Sequence, residues 1–130
     1  MSKVGFIGLG IMGTPMAGHL AKGGHELYVY DRFKAAPAEL LEQGAVQCGS
    51  GKEVAQQADI IITMVPDTPH VEEVLFGEDG VAAGLAPGKV VVDMSSISPI
   101  ETKVFAARIN ALGCEYLDAP VSGGEVGAKA

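Results

Sequence analysis

Three glycines near the start of the chain have the spacing of a phosphate-binding turn. The first of them ends the apolar run Val4–Gly8, and the other two lie at the start of an amphipathic segment. In this arrangement the first glycine permits a tight turn, the second lets the backbone approach a pyrophosphate, and the third lets a helix pack closely on a strand. This context disfavours a glycine turn without a ligand. The pyrophosphate of a dinucleotide is therefore predicted to bind to the segment Gly8-Leu9-Gly10-Ile11-Met12-Gly13.

An acidic residue follows the second apolar run. Asp31 comes 23 positions after Gly8, where a carboxylate can accept hydrogen bonds from the hydroxyl groups of the adenosine ribose. A carboxylate at this place disfavours a 2′-phosphate, so the sequence favours NAD. Arg32 keeps NADP as the alternative, because a guanidinium there could pair with a 2′-phosphate. The guanidinium could instead stack on adenine or lie in solvent as a surface charge.

Two further segments follow predicted strands at the same edge of the sheet, where ligands bind in open α/β folds. Met64, Val65 and Pro66 could form an apolar wall for the adenosine or could simply end their strand. Ser96 could bond the nicotinamide ribose or carboxamide, or could cap a local turn. The spacing alone does not separate these alternatives.

A second glycine cluster follows the sixth predicted strand. Ser122 offers a hydroxyl group, and Gly123 and Gly124 offer backbone N–H groups without side chains. Successive N–H groups in such a turn form a nest for an anion, and a small carboxylate would suit a nest beside the nicotinamide. A plain glycine turn explains the spacing equally well.

Apolar runs alternate with amphipathic segments throughout the chain, a pattern typical of β-α-β units around a parallel sheet. The pattern predicts an α/β fold, a Rossmann-type doubly wound parallel sheet in three layers, with residues 1–130 as one NAD(P)-binding domain. The predicted strands cover Val4–Gly8, Leu27–Tyr30, Ala45–Gln47, Ile60–Val65, Val90–Met94 and Glu115–Leu117. The predicted helices cover Ile11–Lys22, Ala35–Gln43, Lys52–Gln57, Pro69–Phe76, and Pro99 to about Leu112.

Composition narrows the class of protein. The net charge of −7 argues against nucleic-acid binding, which needs a basic face, and no apolar stretch reaches the ~18 residues of a membrane span. Cys48 and Cys114 lack C-x-x-C spacing, which predicts two reduced, inert thiols, no metal site and a cytoplasmic protein. All seven lysines are interpreted as surface charges, namely Lys3, Lys22, Lys34, Lys52, Lys89, Lys103 and Lys129.

Taken together, the motifs resemble the β-hydroxyacid dehydrogenase family. The resemblance runs through the whole chain and is carried by Gly5–Gly13, Met64–Pro66, Val92–Ser96 and Asp118–Gly124. It implies hydride transfer between a nicotinamide cofactor and a small hydroxyacid. It places cofactor contacts on the glycine turn, Asp31, Arg32, Met64, Val65, Pro66 and Ser96, and substrate contacts on Ser122, Gly123 and Gly124.

The resemblance also implies what these 130 residues lack. The family's catalytic lysine, a general acid, lies on a helix beyond Ala130, followed by an all-helical C-terminal domain. No catalytic residue is therefore expected within residues 1–130. The full-length protein is expected to be a homo-oligomer. A non-catalytic NAD(P)-binding sensor is the alternative, but a sensor would not need a carboxylate nest at Ser122–Gly124.

Overall fold

The computed structural model describes residues 3–8, 13–31, 38–65, 68–94 and 99–118. Strands and helices alternate along this part of the chain, as the sequence predicts. The strands are β1 (Lys3–Ile7), β2 (Glu26–Tyr30), β3 (Val46–Gln47), β4 (Ile60–Thr63), β5 (Val90–Asp93) and β6 (Glu115–Asp118). The helices are α1 (Gly13–Lys22), α2 (Ala38–Glu42), α3 (Gly51–Gln57), α4 (Thr68–Phe76), α5 (Val81–Gly84) and α6 (Pro99–Asn110). The short helix α5 was not predicted, because four residues between glycines are too few to show helical periodicity.

All six strands in the described residues pair in parallel, in the order β3-β2-β1-β4-β5-β6. The chain moves outward from β1 to β3 and then returns to the other side of β1 at β4. Helix α1, which follows β1, packs on one face of the sheet, and α4, which follows β4, packs on the other. In open α/β folds, ligands bind at the carboxyl edge where the strand order switches in this way. This topology confirms the Rossmann-type α/β prediction.

Helices cover both faces of the sheet, which confirms the three-layer prediction. On one face, α1 and α2 contribute Ala17 and Leu40 to a core cluster with Val4, Phe6, Leu27, Val29 and Ala45. On the other face, α3 to α6 cover Ile7, Ile61 and Val91 with Val54, Ala55, Val71, Leu75, Val81, Phe105 and Ile109. Because strand side chains alternate between faces, neighbours such as Phe6 and Ile7 belong to opposite clusters.

Helix α3 is held at both ends by side chains. The Ser50 hydroxyl accepts a hydrogen bond from the Glu53 N–H (3.1 Å), and the Glu53 carboxylate accepts one from the Gly49 N–H (3.1 Å), a variant of the capping box. At the other end, the half-buried Lys89 donates through Nζ to the carbonyl oxygens of Ala55 and Gln56. The interpretation of Lys89 as a plain surface charge is therefore wrong, since it satisfies carbonyl groups at a helix C-terminus.

Both cysteines are free and buried, which agrees with the prediction of unpaired thiols. Burial raises the pKa of the Cys48 thiol from 9.0 to about 11, and the negative charge of Glu53 and a hydrogen bond with it act in the same direction. The thiolate is the reactive form of cysteine. Cys48 is therefore protonated and unreactive at neutral pH.

The raised pKa of Cys48 predicts a stability change at alkaline pH. Below pH 9 the folded and unfolded chains both keep the proton, whereas between about 9 and 11 only the folded chain does. The free energy of unfolding should therefore fall through this window by about 2–3 kcal/mol more in the wild type than in Cys48→Ala. Urea denaturation at a series of pH values measures the difference, which should be flat below pH 9. Identical pH dependence in both proteins would contradict the prediction.

The chain segments that follow β1 and β4 approach each other closely at the carboxyl edge. Gly8 has φ +104°, and its N–H donates to the carbonyl oxygen of Tyr30 (3.0 Å). A Cβ atom on Gly8 would overlap the carbonyl oxygen of Met64 and would lie 2.8 Å from its carbonyl carbon. Only glycine satisfies both the left-handed conformation and this contact with β4.

Gly8→Ala is accordingly expected to be severely destabilising, on the order of 4 kcal/mol or more, because neither backbone can move without breaking the sheet. Gly44→Ala is the matched control: Gly44 also has positive φ (+98°), but an added Cβ would meet nothing within 4 Å. Strain alone should cost about 1–2 kcal/mol there. Urea denaturation of both variants measures the comparison, and equal losses would show that the Met64 contact does not matter.

Candidate functional site

The carboxyl ends of the strands form one continuous row. Ile7 is in register with Tyr30 on one side and with Thr63 on the other, and Thr63 is in register with Asp93. Hydrogen bonds continue the ladder one residue further, from the Met64 N–H to Ile7 (2.9 Å) and from the Met94 N–H to Thr63 (2.8 Å). The structure therefore brings together three separate predicted segments, those that begin at Gly8, Asp31 and Met64.

The glycine turn lies between the first strand and the first helix. Gly8 follows β1 directly, and Gly13 is the first residue of α1. This strand–turn–helix context is the one that the phosphate-turn prediction requires. It places the N-terminus of α1 at the carboxyl edge, and the first N–H groups of a helix have no partners within the helix. The remaining residues of the turn, Leu9, Gly10, Ile11 and Met12, lie outside the described residues.

The other described members of the predicted site flank this turn. Asp31 follows β2 and is half-buried. Met64 packs against the core cluster under α1 and α2, whereas Val65 packs against the cluster on the opposite face. A Cβ on Gly8 would lie 3.3 Å from the Val65 side chain, so Val65 borders the turn. Besides the four residues of the turn, six predicted site residues lie outside the described residues: Arg32, Pro66, Ser96, Ser122, Gly123 and Gly124.

A cavity of about 370 Å³ opens beside the end of β2. Tyr30, the residue before Asp31, forms one wall, and the start of α3 forms another. The rest of the lining is rich in carboxylates and consists of Glu73, Val74, Glu78, Asp79 and Gly80. The sequence pattern did not predict this cavity, because its walls come from three segments that no local periodicity connects.

A buried polar cluster crosses the far half of the same edge. Thr63 and Asp93 are both fully buried. The Thr63 hydroxyl donates to Asp93 Oδ1 (3.0 Å), and the Tyr116 hydroxyl donates to Asp93 Oδ2 (3.0 Å). This cluster was not predicted, although the sequence contains a signal for it. Asp93 lies two residues after the buried Val91, on the same face of β5, and so had to point into the core.

Two further properties follow from the described part of the chain. Within it, no three His, Cys, Asp or Glu side chains come together in a way that could hold a metal ion. Among its helices, none combines the length and the hydrophobicity that a membrane span requires.

Comparison with known families gives one match that covers nearly the whole chain. Residues 3–130 match the NAD binding domain of 6-phosphogluconate dehydrogenase. The 2-hydroxy-3-oxopropionate reductase of Escherichia coli (strain K12) is 61% identical over 127 residues, which cover 98% of this chain and 43% of that protein. The chain thus spans less than half the length of this relative.

Solved structures show the same fold. Psf3 in complex with NADP+ and 2-OPP superimposes with a TM-score of 0.89 at 31% identity, covering 97% of this chain and 45% of that one. The 3-hydroxyisobutyrate dehydrogenase of Mycobacterium tuberculosis, solved with L-serine, gives a TM-score of 0.89 at 34% identity, with 99% and 43% covered. Family match, fold and motifs agree, and the resemblance seen in the sequence is confirmed: the chain belongs to the β-hydroxyacid dehydrogenase family, as an NAD(P)-binding domain.

Proposed function

We propose that this chain is the cofactor domain of a tartronate semialdehyde (2-hydroxy-3-oxopropionate) reductase, which interconverts tartronate semialdehyde and D-glycerate in glyoxylate metabolism. The 61% identity to the Escherichia coli reductase carries this proposal. It is supported by the segments Val65–Gly77 and Ser95–Lys103, which resemble that member of the family. The nicotinamide supplies or accepts the hydride when the cofactor is bound.

The proposed cofactor site follows the carboxyl edge of the sheet. The pyrophosphate binds at the turn from Gly8 to Gly13, where the first N–H groups of α1 offer donors. Asp31 holds the adenosine ribose, with Arg32 beside it, and Met64 to Pro66 form the apolar wall. Ser96 contacts the nicotinamide ribose or the carboxamide. The cavity lined by Tyr30, the residue before Asp31, leaves room for such a ligand.

The charge around the ribose end favours NAD over NADP. Asp31 follows Tyr30, and the cavity that Tyr30 lines also carries the carboxylates of Glu73, Glu78 and Asp79. A 2′-phosphate would add about two negative charges close to these groups, and like charges repel. NADP remains the second candidate, since Arg32 could pair with a 2′-phosphate and Psf3 was solved with NADP+.

The substrate is proposed to be a small carboxylate held by Ser122, Gly123 and Gly124. A second candidate substrate is 3-hydroxyisobutyrate, because the Mycobacterium tuberculosis relative is a 3-hydroxyisobutyrate dehydrogenase. Both substrates carry a carboxylate, so the same nest would serve either. We further propose a cytoplasmic, homo-oligomeric full-length protein, and the two buried free thiols are consistent with a reducing compartment.

Calorimetric titration with NADH and with NADPH tests the cofactor site. The chain should bind NADH more tightly than NADPH. Asp31→Ala should raise the Kd for NADH by about 10- to 100-fold, because a charged hydrogen-bond acceptor is lost from the ribose hydroxyls. Asp59→Ala is the matched control, since Asp59 is exposed and precedes β4 at the opposite edge of the sheet.

The titration has two outcomes that contradict the proposal. Tighter binding of NADPH by the wild type would overturn the role of Asp31. If neither cofactor bound, the proposed cofactor site would be overturned.

Turnover by the 130-residue chain alone is expected to be negligible. The family resemblance puts the general-acid lysine outside these residues, and general acid catalysis is typically worth about 10²–10⁴-fold. Loss of substrate positioning lowers the rate further. NADH oxidation with tartronate semialdehyde, measured beside the Escherichia coli reductase as control, tests this. Steady-state reduction at a rate comparable to that of the control would refute the expectation.

A further inference from the structure

Asp93 connects three strands through its side chain at the site edge. It is the last residue of β5, and it lies in register with Thr63, the last residue of β4, and with Asp118, the last residue of β6. Its two carboxylate oxygens accept from different strands: Oδ1 from the Thr63 hydroxyl and Oδ2 from the Tyr116 hydroxyl, each at 3.0 Å. The carboxylate thus bridges β4 and β6 across β5.

Strand pairing does not explain this arrangement. The backbone ladders already join β4 to β5 and β5 to β6. An apolar side chain at position 93 would continue the buried face that Val91 begins, whereas a buried carboxylate is unfavourable unless hydrogen bonds compensate for its lost hydration. The polar cluster also lies at the carboxyl end of the strands, where the proposed site is, and not in the middle of the sheet.

We propose that Asp93 is a positioning residue that fixes where the chain leaves β4, β5 and β6, and so sets the nicotinamide half of the site. This inference rests on the proposed function, which assigns the nicotinamide and the substrate carboxylate to the segments following β5 and β6. The pyrophosphate and the adenosine ribose are assigned to the ends of β1 and β2. The hydrogen bonds of Asp93 described above reach neither of those two strands.

The division between the two halves gives the inference a specific consequence. NAD+ occupies both halves, whereas ADP contains the adenosine and the pyrophosphate but neither the second ribose nor the nicotinamide. Loss of a hydroxyl that holds Asp93 should therefore weaken the binding of NAD+ and leave the binding of ADP unchanged. General destabilisation of the fold would weaken both ligands equally or neither.

The test is calorimetric titration of the 130-residue chain and its variants with NAD+ and with ADP. Tyr116→Phe removes one hydroxyl and keeps the ring. It should raise the Kd for NAD+ about fivefold, the effect of one ordinary hydrogen bond, and leave the Kd for ADP unchanged. Tyr28→Phe is the control, because Tyr28 packs against the same core cluster from β2. Thr63→Val should act as Tyr116→Phe does, and Thr63→Ser, which keeps the hydroxyl, should bind as the wild type does.

Saturation-transfer NMR of bound NAD+ provides an independent reading. In the wild type, the nicotinamide and adenine protons should both receive saturation, and Tyr116→Phe should lower the nicotinamide signal relative to the adenine signal. Equal weakening of NAD+ and ADP binding, unchanged binding in both hydroxyl-deleting variants, or a wild type without nicotinamide saturation would each overturn the inference. Should Tyr116→Phe not fold, the pair Thr63→Val and Thr63→Ser decides. A wild type that binds neither ligand would overturn the proposed function, and that result is distinct from the others.

Discussion

The backbone of Gly8 lies against the carbonyl group of Met64, and this contact constrains how the chain leaves β1 and β4. β1 and β4 are neighbours in space although more than fifty residues separate them in the chain, because β4 returns to the free side of β1. The residue at which the chain leaves β1 must therefore have no side chain. Gly8 meets this requirement and adopts φ +104°. Gly8 therefore lies where the chain leaves β1 for α1, at the carboxyl edge where ligands bind in open α/β folds.

An acidic chain that binds an anionic cofactor has to do so by local geometry. The net charge of −7 produces no attraction for phosphate at long range, and the cavity beside Tyr30 is lined by carboxylates. Attraction has to come from N–H groups at a helix end, whose influence fades within the first turn of the helix. In the proposed site, the same carboxylates would repel an additional phosphate on the adenosine ribose.

The sequence predicts the elements well because long apolar runs and glycine stops are local signals. The predicted β4 and β5 extend beyond the observed strand ends, because Met64 and Met94 are apolar although each follows the last residue of its strand. Lys89 and Asp93 show what local patterns miss. Each is a charged residue beside an apolar run, and each finds its partners across the fold, Lys89 at the end of α3 and Asp93 on β4 and β6. Contacts between residues 23 to 34 positions apart cannot be detected in a hydrophobic pattern that repeats every two or 3.6 residues.

The two halves of the carboxyl edge are therefore built by opposite means. At Gly8 the backbones approach because a side chain is absent, and the position admits no substitution that adds a Cβ in that conformation. At Asp93 the strand ends are held because side chains are present, and the geometry depends on hydroxyl groups of Thr63 and Tyr116. A phosphate needs accessible backbone N–H groups and little else, so a turn without side chains is enough to bind it. A nicotinamide ring, whose reacting carbon must meet a substrate at a defined distance and angle, needs strand ends that do not shift, and buried hydrogen-bonded side chains supply that rigidity.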